Sequence, residues 1–138
     1  IYGMDRKHVR EKTDELVREF SMEEVEKSKA KTLSGGWQRR LSIAMALITE
    51  PKILFLDEPT LGLDVIARRE LWQIINSVKK NVTIVLTTHY MEEAEKLSDK
   101  VAVMVKGEVK AVGTVSELLQ RTGKQNLEEA FVSIVGVE

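Results

Sequence analysis

The feature that most restricts the fold of this sequence is a short apolar run that leads directly into two carboxylates. Ile53 to Leu56 is unbroken by any polar residue, and Asp57 and Glu58 follow at once. A run this short and this apolar is typical of a strand buried on both faces of a parallel sheet. Ligands of open α/β sheets bind beyond the carboxyl ends of the strands. The run therefore predicts an α/β layered fold with polar chemistry at one sheet edge.

The rest of the chain alternates between helical and strand periods. A second apolar run, Val82 to Leu86, leads into Thr87, Thr88 and His89. Helical spacing and capping residues predict three helices, from Asp5 to about Phe20, from Trp37 to Thr49 and from Asp64 to about Lys79. In the second of these helices, the partly buried residues are predicted to be Leu41, Ala44, Met45 and Ile48. Capping boxes at Thr114/Glu117 and Asn126/Glu129 start two further helices, after a hairpin formed by Val101–Val105 and Val109–Val112.

This order predicts two portions of one domain. Residues 1–50 form a helical subdomain, and residues 51–138 form the α/β core with a mostly parallel sheet.

Composition excludes several classes of protein. The 138 residues carry 21 Lys and Arg against 22 Asp and Glu, so a net charge of −1 offers no basic surface for nucleic acid. There is no cysteine for a disulfide framework or a thiolate zinc site. The longest apolar stretch, Leu41 to Ile48, is interrupted by Ser42 and is far shorter than the roughly 20 residues that a membrane helix needs. We expect a cytoplasmic protein.

A serine and two glycines precede the second predicted helix. Ser34, Gly35 and Gly36 leave backbone N–H groups free at the positive end of that helix, which suits an anion such as phosphate. The alternative is that Ser34 caps the helix and the glycines only turn the chain.

The adjacent acids, Asp57 and Glu58, could perform two different tasks. On an extended chain Asp57 and Glu58 point in opposite directions, so one can serve a Mg²⁺ shell while the other reaches an attacking water. The alternative is a turn followed by a helix start. Asp64 is equally ambiguous, since helix capping explains it without chemistry. His89 follows the second strand, where it could bind a phosphate oxygen or be purely structural.

Taken together and in this order, these motifs strongly resemble the ABC ATPase family. Ser34 to Gln38 is similar to its signature motif, Ile53 to Asp57 to its Walker B strand, Glu58 to its catalytic glutamate, Gly62 to Asp64 to its D-loop, and His89 to its switch histidine. Three stretches resemble the ATPases of ABC-2 export transporters, namely His89 to Glu95, Lys106 to Glu108 and Leu127 to Phe131. The resemblance implies a P-loop NTPase-type fold.

The resemblance also implies the site and its partners. Two ATPase domains would bind ATP and Mg²⁺ head to tail, at the inner face of the cell membrane, beneath transmembrane subunits. The implied roles are ATP contact in trans for Ser34, Gly35, Gly36 and Gln38, Mg²⁺ binding through water for Asp57, general base for Glu58, γ-phosphate stabilisation for His89, and communication across the dimer for Asp64.

One element of the family is missing from the sequence. A P-loop needs Gly, four residues, then Gly-Lys-Ser or Gly-Lys-Thr, but the one Gly-Lys pair, Gly123-Lys124, is followed by Gln125. We therefore expect this C-terminal portion to be inactive by itself, with strand edges exposed where the P-loop strand would pair.

Two other functions stay open. One is the catalytic lobe of a non-transport ABC ATPase of DNA repair or chromosome maintenance, although residues 1–32 lack sustained heptads. The other is a silent interaction module, which the missing P-loop favours and the presence of Glu58 and His89 disfavours.

Overall fold

The computed structural model describes residue 3 and residues 5–136. The chain divides into two compact units, Ile1–Thr87 and Thr88–Glu138, which are described separately. The predicted helical portion, residues 1–50, lies within the first unit together with the parallel strands. The predicted boundary at residue 50 stays a prediction. In the described residues, no helix combines the length and the apolar character needed to cross a membrane.

In the residues that the structure describes, the first unit contains three α-helices and two strands in an α/β order. Their bounds are α1 Arg6–Glu19, α2 Gly35–Leu47, β1 Ile53–Asp57, α3 Val65–Val78 and β2 Thr83–Thr87, with short 3₁₀ turns at Glu23–Val25 and Ala30–Thr32 between α1 and α2. The predicted starts at Asp5 and Asp64 are confirmed as N-cap positions, although only Asp64 caps through its side chain. The α/β fold class is confirmed.

Strands β1 and β2 pair in parallel, with Ile53 opposite Thr83 and Asp57 opposite Thr87. Only one face of this pair is buried. Leu54 and Leu56 are 6% and 8% exposed, whereas Phe55 on the other face is 74% exposed. The prediction of a strand buried on both faces is therefore wrong for this chain. An apolar run shows that a strand can be buried, but the packing elements decide which face is covered.

Helix α2 follows its predicted burial only in part: Ala44 is buried and Leu41 and Ile48 are half-buried, but the prediction for Met45 is wrong. Ile43, Ala44 and Leu47 lie in the core, whereas Met45 is 62% exposed. Arg40 belongs to the buried face, since its guanidinium donates to the Phe20 carbonyl oxygen at 3.2 Å and to the Glu70 carboxylate. These partners satisfy a buried charge, which apolar spacing alone does not reveal.

The second unit contains α4 Met91–Leu97, the strands β3 Val101–Val105 and β4 Glu108–Gly113, and the helices α5 Val115–Thr122 and α6 Leu127–Val135. The predicted hairpin is confirmed as an antiparallel pair turning at Lys106 and Gly107. Its core consists of Val103, Ala111, Leu118 and Leu127. The capping box of Thr114 and Glu117 forms in full, and Asn126 caps α6 through the Glu129 N–H.

Candidate functional site

The predicted carboxylates lie where the parallel strands end. Asp57 is the last residue of β1 and pairs in register with Thr87, the last residue of β2. The Thr87 hydroxyl donates a hydrogen bond to Asp57 Oδ1. This bond orients the Asp57 carboxylate. Because Asp57 is exposed, the carboxylate is also accessible to a ligand.

Glu58 does not continue the strand. Its φ of 45° lies in the left-handed region, which costs a non-glycine residue roughly 1–2 kcal/mol. The conformation is supported on both sides: the Glu58 N–H reaches the Thr87 carbonyl at 3.0 Å, and the Glu58 carbonyl accepts from the Leu61 N–H at 3.1 Å. The two acids are therefore separated by a backbone reversal, not by the alternation of an extended chain as predicted.

The serine and glycines of the signature-like segment begin α2. Ser34 is the N-cap residue, with φ −63° and ψ 163°, but its side chain makes no capping hydrogen bond. Ser34 thus occupies the capping position, but its hydroxyl does not cap the helix. Because Ser34 and Gly35 are exposed at the helix start, the first-turn N–H groups and the hydroxyl are open to an anion.

The two glycines have different surroundings. A Cβ on Gly36 would lie 3.2 Å from Ala67 Cβ on α3, whereas one on Gly35 would meet only Leu63 Cδ2 at 3.7 Å. Gly36 thus allows α2 and α3 to approach closely. Packing does not require a glycine at position 35 in the same way, and the predicted contact of Gly35 with ATP stays a prediction.

Gln38 holds the signature-like segment from the helix side. Its Nε2 donates to the Leu33 carbonyl oxygen at 2.9 Å, which closes the turn before α2. Next to it, the Trp37 ring lies 4.4 Å from the Arg40 guanidinium carbon. In this structure Gln38 therefore stabilises the loop, and its predicted contact with ATP stays a prediction.

Asp64 is a capping residue. Its Oδ1 accepts from the N–H groups of Ile66 at 2.9 Å and Ala67 at 3.0 Å, at the start of α3. The capping interpretation is thus confirmed, and a role in dimer communication would be additional to it.

His89 lies in the second unit, just before α4. It is exposed, and its ring centroid lies 4.2 Å from that of Tyr90. Its predicted approach to the carboxylates stays a prediction.

Asp57 suits a cation that is bound mainly by substrate and water, with a carboxylate of the protein as one further contact. No group of three or more His, Asp or Glu residues suited to a metal occurs in the described part of the chain. Mg²⁺ commonly binds through one or two carboxylates together with water and substrate phosphates. Asp57 supplies such a carboxylate, and its predicted role is compatible with this arrangement.

The sequence alone did not predict that Thr87 would hydrogen-bond to Asp57. Threonine is common in strands, so nothing in its type marks it. The positions of the strand ends could have revealed it. Since β1 and β2 have equal lengths and both end in a polar residue, pairing them end to end places Thr87 opposite Asp57.

Comparison with known proteins identifies the family. A family model described as "ABC transporter" matches residues 3–61. The daunorubicin resistance ATP-binding protein DrrA3 of Streptomyces coeruleorubidus is 40% identical over 129 residues, which are 93% of this chain and 41% of that protein. The chain belongs to the ABC transporter family.

Other members of the ABC transporter family are similar over the same region. ABC transporter A family member 2 of Arabidopsis thaliana is 44% identical over 89% of this chain and 12% of its own length. A solved ATP-binding subunit of an ABC transporter superposes with a TM-score of 0.79 and 31% identity, over 97% of this chain and 57% of that one. The chain thus spans less than half the length of the two curated relatives, DrrA3 and ABC transporter A family member 2.

Proposed function

We propose that this chain is the signature- and Walker B-bearing portion of the nucleotide-binding domain of an ABC transporter, whose ATP hydrolysis powers transport. Two acids at the end of a parallel strand pair, held by Thr87, are the observation that carries this proposal. The Arabidopsis thaliana relative and the solved ATP-binding subunit also disfavour a non-transport role, since their names describe a transporter and a transporter subunit.

The proposed site works by division of labour between Asp57 and Glu58. Glu58 is the general base that takes a proton from the attacking water, and Asp57 binds the hydration shell of Mg²⁺. When bound with ATP, Mg²⁺ neutralises phosphate charge. Ser34, Gly35 and Gly36 bind the γ-phosphate by hydroxyl and N–H donation, because the start of α2 is open to an anion.

The remaining roles follow the family resemblance. His89 stabilises the γ-phosphate, Gln38 adds to the ATP contact, and Asp64 communicates across the dimer while it caps α3. The partners are a second ATPase domain, whose P-loop holds the nucleotide, and transmembrane subunits at the cytoplasmic face of the membrane. This chain by itself binds ATP weakly and does not turn it over.

Glu58→Gln in the full-length protein that carries this sequence tests the proposal. Loss of the base should lower kcat by about 100-fold or more, while ATP binding is retained because the P-loop supplies it. Steady-state ATPase assays and nucleotide-binding calorimetry measure the two quantities.

Glu26→Gln is the matched control, because Glu26 is an exposed glutamate of the same unit that is neither part of β1 nor a proposed site residue. It should leave kcat unchanged. Unimpaired hydrolysis by Glu58→Gln, or no ATP hydrolysis by the unmodified protein, would overturn the proposed function.

A further inference from the structure

We propose that Thr87 is a positioning residue that fixes the two carboxylates relative to each other, an inference that rests on the proposed function of Asp57 and Glu58. A single hydroxyl on β2 contacts both residues. Its proton is donated to Asp57 Oδ1, and its oxygen lies 3.3 Å from the Glu58 nitrogen, from which it accepts.

The position of Thr87 in the sheet makes this double contact possible. In the parallel register Thr87 is directly opposite Asp57, and both strands end there. The side chain of the last residue of β2 can therefore orient Asp57 while the Thr87 carbonyl accepts from the Glu58 N–H at 3.0 Å. A residue further back on β2 faces β1 residues that carry no acid.

For Asp57, the contact orients the carboxylate. A hydroxyl has one proton, and Thr87 gives it to Oδ1, so one acceptor site of Oδ1 is occupied while both sites of Oδ2 stay open to a hydrated cation. It also restricts rotation of the carboxylate about its own bond. Loss of the hydroxyl would let either oxygen turn toward the ligand or away from it.

For Glu58, the contact helps to hold an unfavourable backbone. The left-handed φ of 45° persists only because neighbouring groups fix it. Valine at position 87 would keep the carbonyl acceptor and remove the hydroxyl acceptor, so Glu58 could relax toward extended conformations that move its carboxylate. Because the nucleotide is anchored elsewhere, this change should affect the chemical step more than binding.

The alternative is that Thr87 is an ordinary strand-forming threonine. Thr83 provides the comparison, since it lies on the same strand and the same face but pairs with Ile53. If only strand propensity mattered, valine would be tolerated equally well at both positions.

The experiment compares Thr87→Val, Thr87→Ser and Thr83→Val in the full-length protein. We expect Thr87→Val to lower kcat about tenfold while the KM for ATP stays within about twofold, which indicates lost transition-state stabilisation. Thr87→Ser retains the hydroxyl and should keep near-normal kcat, and Thr83→Val should match the unmodified protein. Equal kcat in Thr87→Val and Thr83→Val, or equal impairment in Thr87→Ser and Thr87→Val, would overturn the inference.

Glu58→Gln measured in parallel separates this inference from the proposed function. If Glu58→Gln is inactive and Thr87→Val is normal, the positioning role alone is wrong. If Glu58→Gln hydrolyses ATP normally, the proposed function is wrong and the positioning role falls with it. Thermal unfolding checks that each variant folds. Should Thr87→Val unfold, Thr87→Ala replaces it against Thr87→Ser, with the same outcomes.

Discussion

At the scale of single residues, tertiary contacts give adjacent or identical residues different environments. Glu58 occupies a left-handed conformation that its side chain does not favour, and the strand beside it supports that conformation. Gly35 and Gly36 have identical side chains, yet only Gly36 lies close to α3. The two glycines therefore differ in packing: Gly36 lies at the contact with α3, whereas Gly35 has room for a side chain.

Alanine substitution should separate the two glycines. Gly36→Ala brings its Cβ to 3.2 Å from Ala67 Cβ, so one of the two residues must give way by a few tenths of an ångström, and we expect about 1–3 kcal/mol lower free energy of unfolding. Gly35→Ala makes only an ordinary 3.7 Å contact and should leave that free energy unchanged or raise it by up to about 1 kcal/mol.

Urea denaturation of this chain measures both variants. Each variant is the control for the other, because both positions lie in the first turn of α2. Equal stabilities would show that close packing between α2 and α3 does not depend on Gly36.

At the scale of elements, the start of α5 is held by a reciprocal pair of bonds. The Thr114 hydroxyl accepts from the Glu117 N–H at 3.1 Å, and the Glu117 carboxylate accepts from the Thr114 N–H at 2.7 Å. The backbone bond to Thr114, followed by the Thr114 hydroxyl and the charge of Lys100, lowers the pKa of Glu117 below its ordinary value of 4.5. The ionised carboxylate is thus the form that stabilises the helix.

The lowered pKa fixes the direction of the pH effect. A carboxyl whose pKa is lower in the folded state contributes stability above its unfolded pKa and loses it as pH falls through the folded value. We expect Glu117→Gln to weaken α5 at pH 7, and the difference from the unmodified chain to shrink below pH 4.5.

Denaturation midpoints at a series of pH values measure this difference. Glu128→Gln on α6 is the control, since Glu128 is exposed and lies outside the capping box. A difference that grows on acidification would contradict the assigned role of Glu117.

At the scale of the whole molecule, the parallel pair in the first unit leaves apolar surface open. Ile53, Phe55 and Val85 are 52%, 74% and 44% exposed, and all lie on the same face. In the described residues, β1 and β2 pair only with each other, so each also has an outer edge without a strand partner. Exposed apolar faces and open edges favour association.

Phe55→Thr should reduce association of this chain in solution. Threonine keeps the strand preference and removes the largest exposed ring of the sheet, so binding of a hydrophobic dye and the light-scattering mass at high concentration should both fall. Met45→Gln is the control, because Met45 is 62% exposed on α2, outside the sheet. An equal effect of both variants would show that general surface hydrophobicity, not the sheet face, drives association.

Much of the local structure could be predicted from sequence because it depends on local interactions. The helix starts at Asp64 and Thr114 follow from side chains that cap the nearest N–H groups, and the hairpin follows from Lys106 and Gly107 between apolar alternations. The identity of the acids, Asp57 and Glu58, was predictable for the same reason: they directly follow an apolar strand.

What the sequence could not decide depended on contacts between distant segments. Three features arise from pairing and packing between segments at least 20 positions apart. They are the face that β1 buries, the inclusion of Arg40 in the core and the contact of Thr87 with both acids, where Thr87 lies 30 positions after Asp57. The sequence by itself determined the elements, their caps and the residues available for chemistry, because each depends on near neighbours. The tertiary structure alone decided the backbone of Glu58 and the orientation of Asp57, because both are fixed by a strand that the chain reaches only after α3.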